Sequence, residues 1–313
     1  MVRFSDLGIE SRLVGCLADQ GITEPFEVQI EAIPSAMEGR DICCRAPTGS
    51  GKTLAFGLPL ISRTVPAEPK KPTALILTPT RELAEQIRNV LDPLAWESKM
   101  KVLSVYGGTS YGKQLRSLEK GVEILVACPG RLLDLLKRKA LSLEDVGIVV
   151  LDEADRMADM GFMEPVCKII DQCISEPQMI LFSATLDHEV SKLVKSYQND
   201  PVRIEVGPKE ISMDSMEHLF WNVKPYKKTE ITVKSVRRAG RSIIFCRTRS
   251  GVDRLSDEMK LDDVPLSSLH GGLNQKQRDR AMRKFSSGRS MVLVATDVAA
   301  RGIDVEGINC AVS

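Results

Sequence analysis

Ala46-Pro47-Thr48-Gly49-Ser50-Gly51-Lys52-Thr53 follows the apolar run Ile42-Cys43-Cys44 and leads into Leu54-Ala55-Phe56-Gly57-Leu58. A strand, a glycine turn and a helix start, in that order, make a cradle for phosphate. Glycines let the backbone wrap so tightly that its N–H groups point inward at phosphate oxygens. The helix that follows brings its positive end to the same place. In this reading Lys52 reaches the β- and γ-phosphates of a nucleotide, and the Thr53 hydroxyl binds Mg²⁺. Position 46 is Ala where the usual pattern opens with Gly.

The loop's expected partner is Asp152-Glu153-Ala154-Asp155, at the end of the apolar run Val146-Gly147-Ile148-Val149-Val150-Leu151. An apolar run bounded by acids reads as a buried parallel strand. Its carboxylates then emerge at the C-terminal edge of the sheet, where open α/β sheets bind ligands. Asp152 is expected to hold Mg²⁺ through water, and Glu153 to polarise the attacking water. By itself such a tetrapeptide is also an ordinary solvated turn; downstream of Gly51-Lys52-Thr53 it gains a role.

A chain of 313 residues leads to an expectation of two domains. Its 43% hydrophobic and 27% charged content is that of a water-soluble globular chain, and no apolar run approaches a membrane span. Net charge is +1, so no global basic field attracts nucleic acid, and any such ligand needs local sites. Only 4% of residues are aromatic, which argues against a base-stacking platform. Eight cysteines are scattered with no Cys-x-x-Cys pair, consistent with reduced core thiols rather than zinc or disulfides. The opening Met1-Val2-Arg3-Phe4-Ser5-Asp6 lacks a signal-peptide core, so a cytoplasmic location is expected.

With its glycine loop and acid tetrad, the chain resembles the DEAD-box RNA helicases, and further motifs follow in that family's order from Phe4 to the last residues. The resemblance implies ATP and Mg²⁺ as ligands and RNA as partner, in a monomer. It implies that residues 46–53 hold ATP, that Lys52, Thr53, Asp152 and Glu153 carry the chemistry, and that Thr53 and Asp152 serve the metal. Gly21-Ile22-Thr23-Glu24-Pro25-Phe26-Glu27-Val28-Gln29 resembles the family's Q motif. There Gln29 would read adenine, accepting from N6 and donating to N7, and Phe4 would be the isolated upstream aromatic. Ile22 and Phe26 stand where the family has an aromatic and a threonine, which predicts weaker nucleotide affinity or adenine selectivity. The resemblance also implies RNA contacts at Pro79, Thr80 and Arg81, at Gly108, and at Gly130 and Arg131. Pro79-Thr80-Arg81-Glu82 equally reads as a helix N-cap, and Gly107-Gly108 as a turn. Cys128 replaces the family's threonine, losing one hydroxyl contact. Ser183-Ala184-Thr185 would couple hydrolysis to strand separation through Asp155.

Residues 207–215 mix Gly, Pro, Ser and charge and read as a linker, dividing domain 1 (1–206) from domain 2 (216–313). In the second half the resemblance implies RNA contacts from Gln275, Arg278 and Thr296, with Gly302 and Asp304 at the ATP ribose. Strands alternate with helices in both halves, so the expected class is α/β, two tandem RecA-like domains with parallel sheets. The sequence ends at Ser313, before the segment in which this family carries an arginine finger. The second domain is therefore expected to be incomplete, in a piece of a compact, bacterial-type helicase. The implied activity is ATP-driven local unwinding of short RNA duplexes. Two alternatives stay open: an ATP- and RNA-binding module without turnover, and a helicase of another class acting on DNA.

Overall fold

The computed structural model describes residues 2–174, 176–207, 217–260, 262–297, 305 and 307–313, apart from the Gln275 side chain. The chain divides into two compact units, Met1–Ile211 and Ser212–Ser313. Apart from Gly207, the linker read over residues 207–215 lies outside the described residues.

The first unit is built on a seven-stranded parallel sheet. Its strands are β1 (Ile42–Arg45), β2 (Ala74–Leu77), β3 (Val102–Val105), β4 (Ile124–Ala127), β5 (Ile148–Asp152), β6 (Gln178–Ser183) and β7 (Val202–Glu205), in the order β3-β4-β2-β5-β6-β1-β7. Most are continuous apolar runs because helices cover both faces. Alternate residues feed opposite cores. Cys44, Ile76, Val126 and Val150 pack on one side with Phe56, Leu58 and Ile87. Cys43, Leu75, Leu125 and Val149 pack on the other with Leu132, Leu135 and Val190. All eight cysteines are free, and burial pushes the Cys44 thiol up to about 12.

The covering helices include α1 (Ser11–Asp19), α2 (Glu27–Met37), α3 (Lys52–Arg63), α4 (Arg81–Glu97), α5 (Tyr111–Glu119), α6 (Pro129–Lys137), α7 (Ala154–Asp159), α8 (Met163–Ile170) and α9 (His188–Tyr197). Because every strand pair is parallel, all strand ends that matter for function lie along one edge.

The second unit repeats the principle with four parallel strands: β8 (Ser242–Cys246), β9 (Leu266–Leu269), β10 (Val292–Thr296) and β11 (Cys310–Val312), in the order β11-β8-β10-β9. Helices α10 (Lys228–Ala239), α11 (Arg249–Lys260) and α12 (Gln275–Ser286) accompany them. Val233, Val236, Val252 and Met259 pack against one side of the sheet, and Leu269, Phe285 and Leu293 against the other. Among the described residues β11 is an edge strand bonded only to β8.

Candidate active site

The glycine loop leaves β1 and enters α3. Ala46 N–H donates to the Ser183 carbonyl at 3.0 Å, which ties the loop's start to β6. Ser50 Oγ donates to the Pro47 carbonyl at 2.8 Å. Gly51 caps α3 at φ 89°, in the left-handed region that a side chain resists. A Cβ there would lie 2.5 Å from Phe26 Cδ2 and 2.6 Å from Gln29 Nε2. Lys52 is buried, and its Nζ donates to the Ala46 carbonyl at 3.2 Å, across the mouth of its own loop. The ammonium is thus held over the concavity with donors to spare.

β5 delivers the acids. Asp152 is its last residue and is 3% exposed. Burial raises its carboxyl above the ordinary range, opposed first by the charge of Lys52. Its Oδ1 is buried without a hydrogen-bond partner. Glu153 is 4% exposed and takes the left-handed conformation, φ 55° and ψ 52°, at the start of α7. Such backbone strain is tolerated only where the surroundings enforce it. Burial, and then the neighbouring Asp152, push the Glu153 carboxyl up to about 7, while Arg156 and Lys52 pull the other way. Arg156 NH1 holds Glu153 Oε2 at 3.0 Å, a partner that the sequence reading missed.

The donor set fits magnesium. An orphaned carboxylate oxygen on Asp152 and the Thr53 hydroxyl that follows Lys52 offer two oxygen ligands. Mg²⁺ takes few protein ligands and fills its octahedron with water and phosphate.

Asp155, Ser183 and Thr185 lie together. Asp155 N–H donates to Ser183 Oγ at 3.0 Å. Its Oδ2 accepts from Thr185 N–H at 3.2 Å and from Thr185 Oγ1 at 3.3 Å. The ends of β5 and β6 are therefore laced together beside the buried acids.

The Q-motif region differs from its simplest reading. Gln29 is 2% exposed. Its Oε1 accepts from Phe26 N–H at 2.9 Å, and its Nε2 donates to the Gly51 carbonyl at 2.9 Å. It sits beside the loop, with one lone pair and one N–H left for a base. Phe4 needs correction. It is 1% exposed and packs in the core with Leu7 and Leu13, so it offers a ligand no surface and acts only as support. Ile22 is half-buried against the same core, whereas Phe26 is 61% exposed.

A second group of residues lies at the ends of β2, β3 and β4. Thr80 caps α4, its Oγ1 accepting from Leu83 N–H at 3.3 Å, and Pro79 is buried before it. Arg81 lies on the turn after β3. A Cβ on Gly108, at φ 87°, would come within 2.3 Å of Arg81 NH1. Arg131, in the first turn of α6, donates from NH1 to Gln114 Oε1 at 2.8 Å and to the Thr109 carbonyl at 3.3 Å. Its guanidinium stacks 4.1 Å from the Tyr111 ring, and that ring carries Arg138 as well, at 4.7 Å. Burial, Arg81 and Arg138 all lower the pKa of Arg131. Gly130 is exposed beside it, and Cys128, the residue before α6, makes no side-chain cap. Arg81, Gly108 and Arg131 thus form one cationic patch around the 106–111 turn.

In the second unit, Arg278 is 7% exposed and donates from NH1 to the His270 carbonyl at 3.2 Å. That bond helps to hold the 270–272 turn. His270 is fixed in turn, with Nε2 3.0 Å from Asp253 Oδ1 and Nδ1 accepting from Gly272 N–H at 3.2 Å. Thr296 ends β10 half-buried. The Gln275 side chain, Gly302 and Asp304 lie outside the described residues.

Comparison with known proteins bears on the same residues. The DEAD/DEAH box helicase family model matches residues 26–193, and the helicase conserved C-terminal domain model matches residues 226–313. The chain is 37% identical over 310 residues to the DEAD-box ATP-dependent RNA helicase CshA of Bacillus cereus, covering 98% of this chain and 59% of that protein. It is 38% identical over 309 residues to CshA of Streptococcus pneumoniae, again covering 98% of this chain and 59% of the relative. The chain thus spans about three fifths of the length of the curated relatives it matches. Among solved structures, S. cerevisiae Dbp5 bound to RNA and ADP BeF3 aligns with TM-score 0.84 at 29% identity, over 97% of this chain and 78% of that one. A DEAD box protein from Methanococcus jannaschii aligns with TM-score 0.63 at 32% identity, over 99% of this chain and 84% of that one.

Proposed function

This chain belongs to the DEAD-box RNA helicase family, and we propose that it binds ATP at the 46–53 loop, binds RNA at the Arg81–Gly108–Arg131 patch, and couples the two so that hydrolysis drives local opening of short RNA duplexes. The observation that carries this reading is the hydrogen-bonded tie between Asp155 and the Ser183–Thr185 segment, two residues past Glu153, the second of the buried acids.

The residues divide the work. Lys52 is placed to leave the Ala46 carbonyl and bind β- and γ-phosphate oxygens, where its charge counts most because it is buried. Asp152 and Thr53 would hold Mg²⁺, which when bound neutralises charge on the phosphates. Glu153 is set to accept a proton from the attacking water, its carboxyl already raised toward neutrality by burial. Arg156 orients that carboxylate. Gln29 joins the base-binding side to the loop through the Gly51 carbonyl, so nucleotide identity and loop geometry are read together. On the RNA side, Arg81 and Arg131 supply charge, while the α4 start and the 107–108 turn supply backbone donors. Contacts of that kind go to phosphate and sugar, so little sequence is read.

ATP hydrolysis measured with and without single-stranded RNA, with Lys52→Ala as the blank, tests this. RNA-stimulated turnover above the blank supports the reading. Intact ATP and RNA binding with no turnover would replace it with a binding module. Equal stimulation by DNA would overturn RNA as the specific partner.

A further inference from the structure

The net charge of +1 conceals a partition. Residues 1–211 hold 25 Lys and Arg against 30 Asp and Glu, a net of −5, whereas residues 212–313 hold 18 against 12, a net of +6. Much of that excess sits on α12.

Four cations of α12 share one face. Lys276, Arg280, Arg283 and Lys284 recur at i, i+4, i+7 and i+8 and fall within about 100° of arc around the helix. All four are exposed, and none is in an ion pair among the described residues. The opposite face, with Arg278, Ala281 and Phe285, is buried. The stripe is held rigidly. Asn274 and Gln277 form a reciprocal cap at the start of the helix, with bonds of 2.8 Å and 3.0 Å. At its end Arg241 NH2 donates to the Phe285 carbonyl at 2.7 Å and its guanidinium stacks on the Phe285 ring, adding another charge. Like charges at i and i+4, here Lys276 with Arg280 and Arg280 with Lys284, oppose helix formation. A linear polyanion laid along the face would relieve that repulsion and release its own counterions.

We propose that the outer face of α12 is an auxiliary binding surface for the phosphate backbone of RNA, formed by Lys276, Arg280, Arg283 and Lys284 and separate from the Arg81–Gly108–Arg131 patch. It rests on the reading of the chain as an RNA-binding protein. The stripe runs about 12 Å along the helix axis, enough for several successive phosphates. It offers charge without base-reading groups, so it adds affinity and salt dependence but no sequence preference.

The test measures binding of a fluorescein-labelled oligouridylate to the full chain across a salt series. The variant carries Lys276→Gln, Arg280→Gln, Arg283→Gln and Lys284→Gln, and a milder one carries Arg280→Gln and Lys284→Gln alone. Lys192→Gln with Lys195→Gln, two exposed lysines of α9, is the control for net charge. Each phosphate contact removed lowers the slope of log affinity against log salt by about 0.7. The fourfold variant should therefore lose about 2 to 3 from the slope and the milder one about half of that, with the control and ATP-analogue binding unchanged. An unchanged slope in both α12 variants, with the parent chain binding RNA normally, overturns this inference alone. Failure of the parent chain to bind RNA at all overturns the functional reading along with it.

Discussion

The two halves of the large sheet contrast. At the ends of β1, β5 and β6 the proposed nucleotide site is made of buried groups: Lys52, Asp152, Glu153 and Gln29 are all less than 10% exposed. At the ends of β2, β3 and β4 the proposed RNA site is made of guanidinium groups and turns near the surface. The first half makes charge expensive and therefore reactive, which is why both of its acids are shifted upward. The second half leaves its guanidinium groups only part-buried, and the shift there, a lowered pKa at Arg131, is on a group that stays charged. The sheet order puts β5 beside β2, so the two chemistries adjoin inside one rigid layer.

This contrast predicts effects of different kind and size. The largest is expected at Glu153. Glu153→Gln removes the proton acceptor while keeping shape, so kcat should fall by about 10²- to 10⁴-fold with nucleotide binding retained. Steady-state ATPase assays beside equilibrium binding of a fluorescent ATP analogue check both halves of that statement. A parallel loss of binding would mean that Glu153 holds nucleotide instead.

The next effect is on stability. The folded carboxyl of Glu153 titrates near 7, against about 4.5 when unfolded. A raised folded value means that the native state binds the proton more tightly. Its contribution is complete below about pH 4.5 and is lost as pH rises through about 7. Without nucleotide, urea midpoints should fall across that window by the equivalent of up to about 3 kcal/mol, and Glu153→Gln should flatten the trend. An identical pH profile in that variant would place the carboxyl in a more solvated setting than the 4% exposure describes.

The smallest effect belongs to the exposed half. Arg81→Ala should weaken RNA binding about tenfold, in keeping with one charge-assisted contact of about 1.5 kcal/mol, and should leave ATP-analogue binding in the absence of RNA untouched. Fluorescence anisotropy with labelled RNA reads the first, and the analogue reads the second.

Much of this was legible from the residue order. The two apolar runs singled out, 42–44 and 146–151, appear as β1 and β5 within two residues of their expected ends, because buried parallel strands write themselves as unbroken apolar stretches. The loop and the acid tetrad were legible for the same reason: each sits where such a run stops. Burial of individual polar groups was not. Nothing local says that Gln29 donates to Gly51, 22 residues away, or that Phe4 faces inward. Nor could the bond from Arg278 to the His270 carbonyl be read, because an arginine beside a turn reads alike whether it faces a phosphate or a carbonyl. Arg156 could have been found, since it lies three residues after Glu153 at helical spacing. The charge partition was present in the composition but vanished in the average.

The central claim is the proposed coupling of the buried half to the exposed half, with the Asp155, Ser183 and Thr185 tie at the end of β5, the strand beside β2, as its link. Its most direct test is the affinity of Glu153→Gln, which cannot turn over, for ATP with and without RNA. Coupling predicts that RNA tightens ATP binding by about tenfold, that ATP tightens RNA binding by the same factor, and that adding Ser183→Ala and Thr185→Ala abolishes both. Unchanged ATP affinity in the presence of saturating RNA would contradict it, leaving two independent sites on one sheet.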